Sequence, residues 1–317
     1  MVKVNNRKAA IIGCGFVGSA SAFALMQSGL FSELVLVDAV HEKAEGEALD
    51  ISHGLPFARP MDIYAGDYAD IADASIVVVT AGANQKPGET RLDLVKKNIA
   101  IMKSIMNEIR PLNYQGILLI VANPVDILTQ TAIRYSGLPE HRVFGSGTVL
   151  DTARLKYLVG EQLEVDSRSV HAYIIGEHGD SEIPAWSCAS VGVVPILDIF
   201  KMRGYRNPNE VMDAIAEDVK NSAYEIIERK GATYYGVAMS VKRICEAIVR
   251  DEKSLLPVST MLHGRFGIED VVLSVPAILG RNGVESQVPI RLSEEEQDAL
   301  RASAKTLKQI VDQELAD

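Results

Sequence analysis

The chain has 317 residues, 47% hydrophobic and 23% charged, which is the balance of an ordinary globular protein with room for two domains. Its net charge of −10 excludes nucleic acid and anionic membrane as main partners, although local basic sites for small anions remain open. The three cysteines, Cys14, Cys188 and Cys245, are far apart and lack C-x-x-C spacing, which suits a reducing compartment and excludes a cysteine-rich zinc module.

The first predicted strand is the apolar run 9–12 (AAII). The stretch 9–32 has no charge and follows Arg7 and Lys8, so it imitates a signal sequence or membrane span. Four glycines and several serines interrupt it, and a cytoplasmic protein is expected. Further runs stand at 34–37 (LVLV), 75–79 (SIVVV), 117–121 (ILLIV) and 142–145 (RVFG). Continuous rather than alternating apolarity predicts burial on both faces. Spacers such as 92–110 are long enough for crossover helices, so the pattern implies an α/β fold, a parallel sheet between two helical layers. Gly82, Pro87 and Gly88 mark a loop after the third run. The segment from 82 to about 98 is expected to be a lid carrying Gln85 and Arg91.

A boundary near Ser146 divides the chain into 1–146 and 147–317. In the second part, 169–176 (SVHAYIIG) is strand-like, 208–230 reads as a long helix closed by Gly231, and 237–250 as another helix. Strands are expected at 256–262 and 270–279, with a turn between them. Ser293-Glu294-Glu295-Glu296 is a capping box that opens a helix running to about 315.

Gly13, Gly15 and Gly18 form G-x-G-x-x-G between the first strand and a helix. Such glycines allow a tight turn, close approach of backbone to a pyrophosphate, and close helix–strand packing. The helix N-terminus adds free N–H donors. Twenty residues beyond Gly18, the second strand ends in Asp38. A carboxylate there accepts hydrogen bonds from an adenosine ribose and repels a 2′-phosphate, which favours NAD over NADP. The alternative is a glycine-rich turn without a ligand; the acid ending strand two weighs against it. Cys14 reads as a small residue in a tight turn rather than a reactive thiol.

His178 follows a strand, between glycines and acids, in YIIGEHGDSEIP. A metal site there would use Glu177, His178 and Asp180, but H-E-x-x-H is absent and no metal is expected. If helical from about Thr148, Asp151 and Arg154 share a face; alone, such a pair reads as a surface ion pair. Together with a nicotinamide site these residues suggest hydride exchange. His178 would move the hydroxyl proton, Asp151 would fix its tautomer, and Arg154 would grip a substrate carboxylate with two parallel bonds. Arg91 would stabilise charge on the carbonyl oxygen when the lid closes.

The segments GCGFVG, AGANQKPGETRLDLV, VANPVDILT, GSGTVLDTARL, HAYIIGEHGDSEIPAWS and KGATYYGVA closely resemble the L-lactate/malate dehydrogenase family, its bacterial L-lactate dehydrogenases in particular, nearly end to end. The resemblance implies a Rossmann-type doubly wound parallel sheet followed by a mixed α/β catalytic domain. It implies pyruvate and L-lactate as substrates, NAD as cofactor, and the roles given above for His178, Asp151, Arg154 and Arg91. It places Asn123 beside nicotinamide and substrate, Thr233 in the substrate pocket and Val237 on the nicotinamide side. Ser146, Tyr68 and Lys43 join the cofactor contacts, as do Phe16, Val17, Gly82, Ala83 and Val121. Gln85 would face the far end of the substrate, where a neutral amide leaves a second carboxylate unpaired; relatives with arginine there look like malate dehydrogenases. That activity is the nearest rival. A non-catalytic NAD sensor is another, and the intact set of Arg91, Asp151, Arg154 and His178 argues against it. Relatives form tetramers, less often dimers, and a homotetramer is expected. Relatives activated by fructose 1,6-bisphosphate use a basic pair, which falls here on Lys156 and His171. Activated relatives typically have arginine at the first position. Lysine binds phosphate as a point charge rather than a planar fork, so weak activation or none is expected.

Overall fold

A computed structural model describes residues 3–84 and 88–315, the side chain of Arg91 excepted. Among these residues, β1 (Asn5–Ile12), β2 (Glu33–Val37), β3 (Asp62–Ala65), β4 (Ala74–Val79), β5 (Ile117–Ile120) and β6 (Val143–Gly145) lie side by side in the order β3-β2-β1-β4-β5-β6. All their pairings are parallel. The helices between and after them are α1 (Phe16–Ser28), α2 (His41–Ser52), α3 (Arg91–Ile109), α4 (Val125–Ser136) and α5 (Val149–Leu163).

Both faces of the strands are buried, as continuous apolarity requires. Ala10, Ile12, Val35, Val37, Val77 and Val79 face a core closed by Val95, Ile99 and Met102 of α3 and Ile127 and Leu128 of α4. Their neighbours Ala9, Ile11, Leu34, Leu36, Ile76 and Val78 face the opposite core, with Ala22 and Leu25 of α1 and Ala44 and Ala48 of α2. The result is an α/β, Rossmann-type doubly wound sheet.

The second part begins with five two-residue strands: β7 (Val170–His171), β8 (Ile174–Ile175), β9 (Ile183–Pro184), β10 (Ser190–Val191) and β11 (Val194–Pro195). Then come α6 (Ile196–Met202), α7 (Pro208–Lys230), α8 (Tyr235–Val249), β12 (Ser254–His263), β13 (Glu269–Gly280), β14 (Gly283–Gln287) and α9 (Glu294–Glu314). β12 joins β6 through Ser259 and Gly145, antiparallel, and β13 and β14 follow. The central sheet therefore runs on across the expected boundary near Ser146. The Ser293 capping box closes as expected, with Ser293 Oγ accepting the Glu296 N–H at 3.2 Å and Glu296 accepting the Ser293 N–H at 2.9 Å.

Two expectations are refined. The run 169–176 is not one strand: β7 pairs with β10 while β8 pairs with β9, so the chain bends between them to serve two sheets. The lid segment also divides, because Thr90 and Asp93 form a capping box that starts α3 at Arg91. Residues 91–98 are thus the first two turns of a helix.

Candidate active site

Most of the expected nucleotide-binding residues follow the carboxyl ends of β1, β2, β4, β5 and β6. This is the edge where open parallel sheets hold ligands, at the point where strand order reverses between β1 and β4. Gly13 has a φ of +101°, and an added Cβ would lie 2.6 Å from the Ala81 nitrogen, so only glycine lets the two loops meet. Thr80 Oγ1 donates to the Gly13 carbonyl at 2.7 Å, locking them together. At Gly18 an added Cβ would lie 1.8 Å from the same carbonyl oxygen. Gly15 differs, because nothing lies within 4 Å of the place its Cβ would take. It is also the N-cap of α1 and offers no side-chain acceptor to the first-turn N–H groups. Asp38 stands beside this cradle, accepting the Cys14 N–H at 2.7 Å and the Val40 N–H at 3.0 Å. Each oxygen keeps lone-pair capacity for a hydroxyl. An open cradle, an uncapped helix start and a fixed carboxylate fit a dinucleotide.

The neighbouring residues take their places around it. Phe16 is exposed and Val17 packs on the core. Val121 is buried at the end of β5, Ser146 is half-buried after β6, and Val237 packs at the start of α8. Ala83 donates its N–H to Asn98 Oδ1 at 2.7 Å, and Asn98 Nδ2 donates to the Asn123 carbonyl at 2.8 Å, so Gly82, Ala83 and Asn123 are tied together. Lys43 is exposed on α2 and Tyr68 half-buried after β3; among the described residues neither hydrogen-bonds to the glycine loop. The Cys14 thiol is buried, and that burial, with the charge of Asp38, pushes it up to about 12.

His178 lies in the loop after β8. Gly176, at φ +90°, donates to the Ser274 carbonyl at 2.9 Å and accepts the Ser274 N–H at 3.0 Å, which fixes the loop to β13. The ring Nδ1 meets Asp151 Oδ2 at 2.5 Å, and Arg154 Nη1 donates to Asp151 Oδ1 at 2.9 Å. Asp151 and Arg154 share a face of α5 as expected, but their side chains are only 2% and 13% exposed, so this is no surface pair. Burial disfavours the Asp151 charge, yet His178 and Arg154 outweigh it and hold the carboxyl below its usual range. Burial likewise disfavours the imidazolium, and the charges of Asp151, Asp126 and Glu182 raise His178 to about 9 regardless. With Nδ1 held, Nε2 is the nitrogen left to exchange a proton.

Of the remaining expected residues, Thr233 is half-buried between α7 and α8, Lys156 half-buried on α5, and His171 exposed on β7. Burial lowers the Lys156 ammonium. Gln85 lies outside the described residues, as does the Arg91 side chain. The trio considered for a metal is divided: Asp180 accepts the Tyr224 hydroxyl at 2.9 Å and Glu177 the Ser181 hydroxyl at 2.5 Å. Sequence reasoning missed Asp126, which accepts the His178 backbone N–H, and Asn98, the link between Ala83 and Asn123. It also missed Glu182, pushed up to about 8 by burial and the Asp151 charge. An acid in the first turn of a helix, as Asp126 is, ordinarily reads as a partner of the helix dipole.

Fold and site together define a dinucleotide-binding α/β protein with a carboxylate-paired histidine. Residues 7–145 match the lactate/malate dehydrogenase NAD binding domain, and 148–317 the alpha/beta C-terminal domain of lactate/malate dehydrogenase. The chain belongs to the lactate/malate dehydrogenase family. It is 53% identical over 306 residues to the L-lactate dehydrogenases of Acetivibrio thermocellus and Priestia megaterium, covering 96% of each chain. Among solved structures, it superposes on the minor L-lactate dehydrogenase from Enterococcus mundtii in the ligands-bound form with a TM-score of 0.93. That chain is 45% identical, with 97% of this chain and 98% of that one covered. For MGS-M5, a lactate dehydrogenase enzyme from a Medee basin deep-sea metagenome library, the TM-score is 0.95 at 46% identity, covering 99% and 100%.

Proposed function

We propose that this protein is an NAD-dependent L-lactate dehydrogenase, interconverting pyruvate and NADH with L-lactate and NAD. The observation that carries the reading is the half-open His178 ring, bonded through Nδ1 to the same buried Asp151 that holds Arg154. NAD, when bound, supplies or accepts the hydride. His178 gives the Nε2 proton to the carbonyl oxygen in reduction and takes the alcohol proton in oxidation, while Asp151 stabilises the imidazolium. Arg154 keeps part of its planar fork for the substrate carboxylate, which aligns the reacting carbon. Arg91, first residue of α3, polarises the carbonyl, and Asn123 and Thr233 complete the substrate side. Gly13, Gly15, Phe16, Val17, Gly18 and Asp38 hold the dinucleotide, with the backbone near Gly82, Ala83, Val121 and Ser146. Neutral Gln85 selects pyruvate over oxaloacetate, because an unpaired carboxylate in a closed site costs several kcal/mol.

Among the described residues no helix is long and apolar enough to cross a membrane. A cytoplasmic homotetramer with a 1–146 nucleotide domain and a 147–317 catalytic domain belongs to the same reading. So does weak or absent activation by fructose 1,6-bisphosphate through Lys156 and His171. His178→Ala tests its centre. Turnover should vanish while NADH binding, followed by fluorescence titration, stays largely intact. Pyruvate reduction at a near-normal rate in this variant would remove His178 from its role.

A further inference from the structure

Asp126 is a carboxylate that the reaction as described does not use. It is 3% exposed, in the first turn of α4, flanked by the core residues Val125, Ile127 and Leu128. A charge so placed persists only if it is well bonded. Its Oδ2 accepts the His178 backbone N–H at 2.9 Å, and its Oδ1 accepts the Ser259 hydroxyl at 2.5 Å. Ser259 Oγ lies 3.3 Å from Ser274 Oγ, and the Ser274 backbone is doubly bonded to Gly176. The histidine loop is therefore held at Gly176 by β13 and at His178 by α4, the helix that begins two residues after Asn123.

We propose that Asp126 is a positioning residue for His178. Its ionised carboxylate fixes the loop through the backbone N–H and adds a second negative charge beside the imidazolium. The site is thereby biased toward the protonated histidine from which pyruvate reduction starts. This rests on His178 being the acid–base group. Other charged groups also face the histidine. Asp151 and Arg154 come from α5 and Glu182 from its own loop, whose Glu177 acts on Asp126. Lys220 of α7 acts on Glu182. Asp151 contributes most, with Asp126 next among the carboxylates. Burial raises Asp126 itself to about 6, against the pull of Ser259 and His178, so it is ionised at neutral pH.

The decisive variant is Asp126→Asn, which keeps an oxygen for the His178 N–H and removes the charge. The His178 ring nitrogens are followed by NMR in protein labelled with nitrogen-15 histidine, without substrate. The titration midpoint should fall by about one pH unit, the size of effect a neighbouring charge exerts. The alkaline limb of kcat/KM for pyruvate should move with it, and NADH binding should be unchanged. Ser259→Ala keeps the charge but loses a donor. In the parent protein, protonation of Asp126 should perturb the His178 resonances near pH 6. In Ser259→Ala that step should move to higher pH while the main midpoint stays. Titrations that superimpose on the parent in both variants, or in Ser259→Ala alone if Asp126→Asn does not fold, overturn the proposal. Because the NMR midpoint is read without turnover, that failure is distinct from an active His178→Ala enzyme.

Discussion

His178 sits between two opposed forces, loss of solvent and accumulation of negative charge, and charge prevails with a value of about 9. The consequence for rate has opposite signs in the two directions. With His178 as the proposed acid–base group, pyruvate reduction needs the protonated ring, so kcat/KM for pyruvate should hold up to weakly alkaline pH and fall as pH rises through about 9. Lactate oxidation needs the neutral ring and should rise over the same range. Steady-state profiles in both directions, with NADH or NAD saturating, check this. In the proposed cofactor site Asp38 would act by charge, at a place its two backbone hydrogen bonds fix. Replacing it with serine should narrow the preference for NADH over NADPH, and equal use of both by the unmodified enzyme would contradict the role given to it. At the far end of the substrate, Gln85→Arg should move preference from pyruvate toward oxaloacetate by orders of magnitude in kcat/KM. Both substrates must be measured with both proteins, and an unchanged ratio would leave Gln85 an ordinary loop residue.

The turn between β1 and α1 separates two uses of glycine. Gly18→Ala places a methyl group 1.8 Å from the Gly13 carbonyl oxygen, so backbone must shift. Overpacking of this kind typically costs about 1–3 kcal/mol, and both Tm and NADH affinity should fall. Gly15→Ala meets no protein atom within 4 Å. Its Tm should stay near the parent's while NADH affinity drops, because the methyl enters the open space proposed to hold the pyrophosphate. Thermal melts beside NADH titrations of both variants separate the cases. The glycine turn, the acid at the end of β2 and the Asp151–Arg154 spacing were legible because each is written in a few adjacent residues. β3 (DIYA) and β14 (GVESQ) were not, since short edge strands lack an apolar run. The Asp126 contact was equally hidden, joining residues 52 apart in sequence through a backbone N–H that carries no side-chain signature.

Across the whole molecule the two parts share structure. β6 pairs with β12, and Val241, Ile244 and Ile248 of α8 close the same core as Ala22 and Leu25 of α1. Leu300, Ala304 and Leu307 of α9 close the other core with α3 and α4. Residues 1–146 expressed alone lack these covers and should not fold stably. The full chain in urea should unfold in one transition, coincident by circular dichroism and Trp186 fluorescence. The same packing has a chemical corollary. Burial pushes Cys14 and Cys245 each to about 12 and Cys188 to about 11, so at physiological pH all three sulfurs stay in the unreactive thiol form. An enzyme with its thiols so protected should tolerate iodoacetamide and mild peroxide without losing activity. Its reduction of pyruvate would then continue through bursts of oxidant that silence enzymes relying on an exposed thiolate.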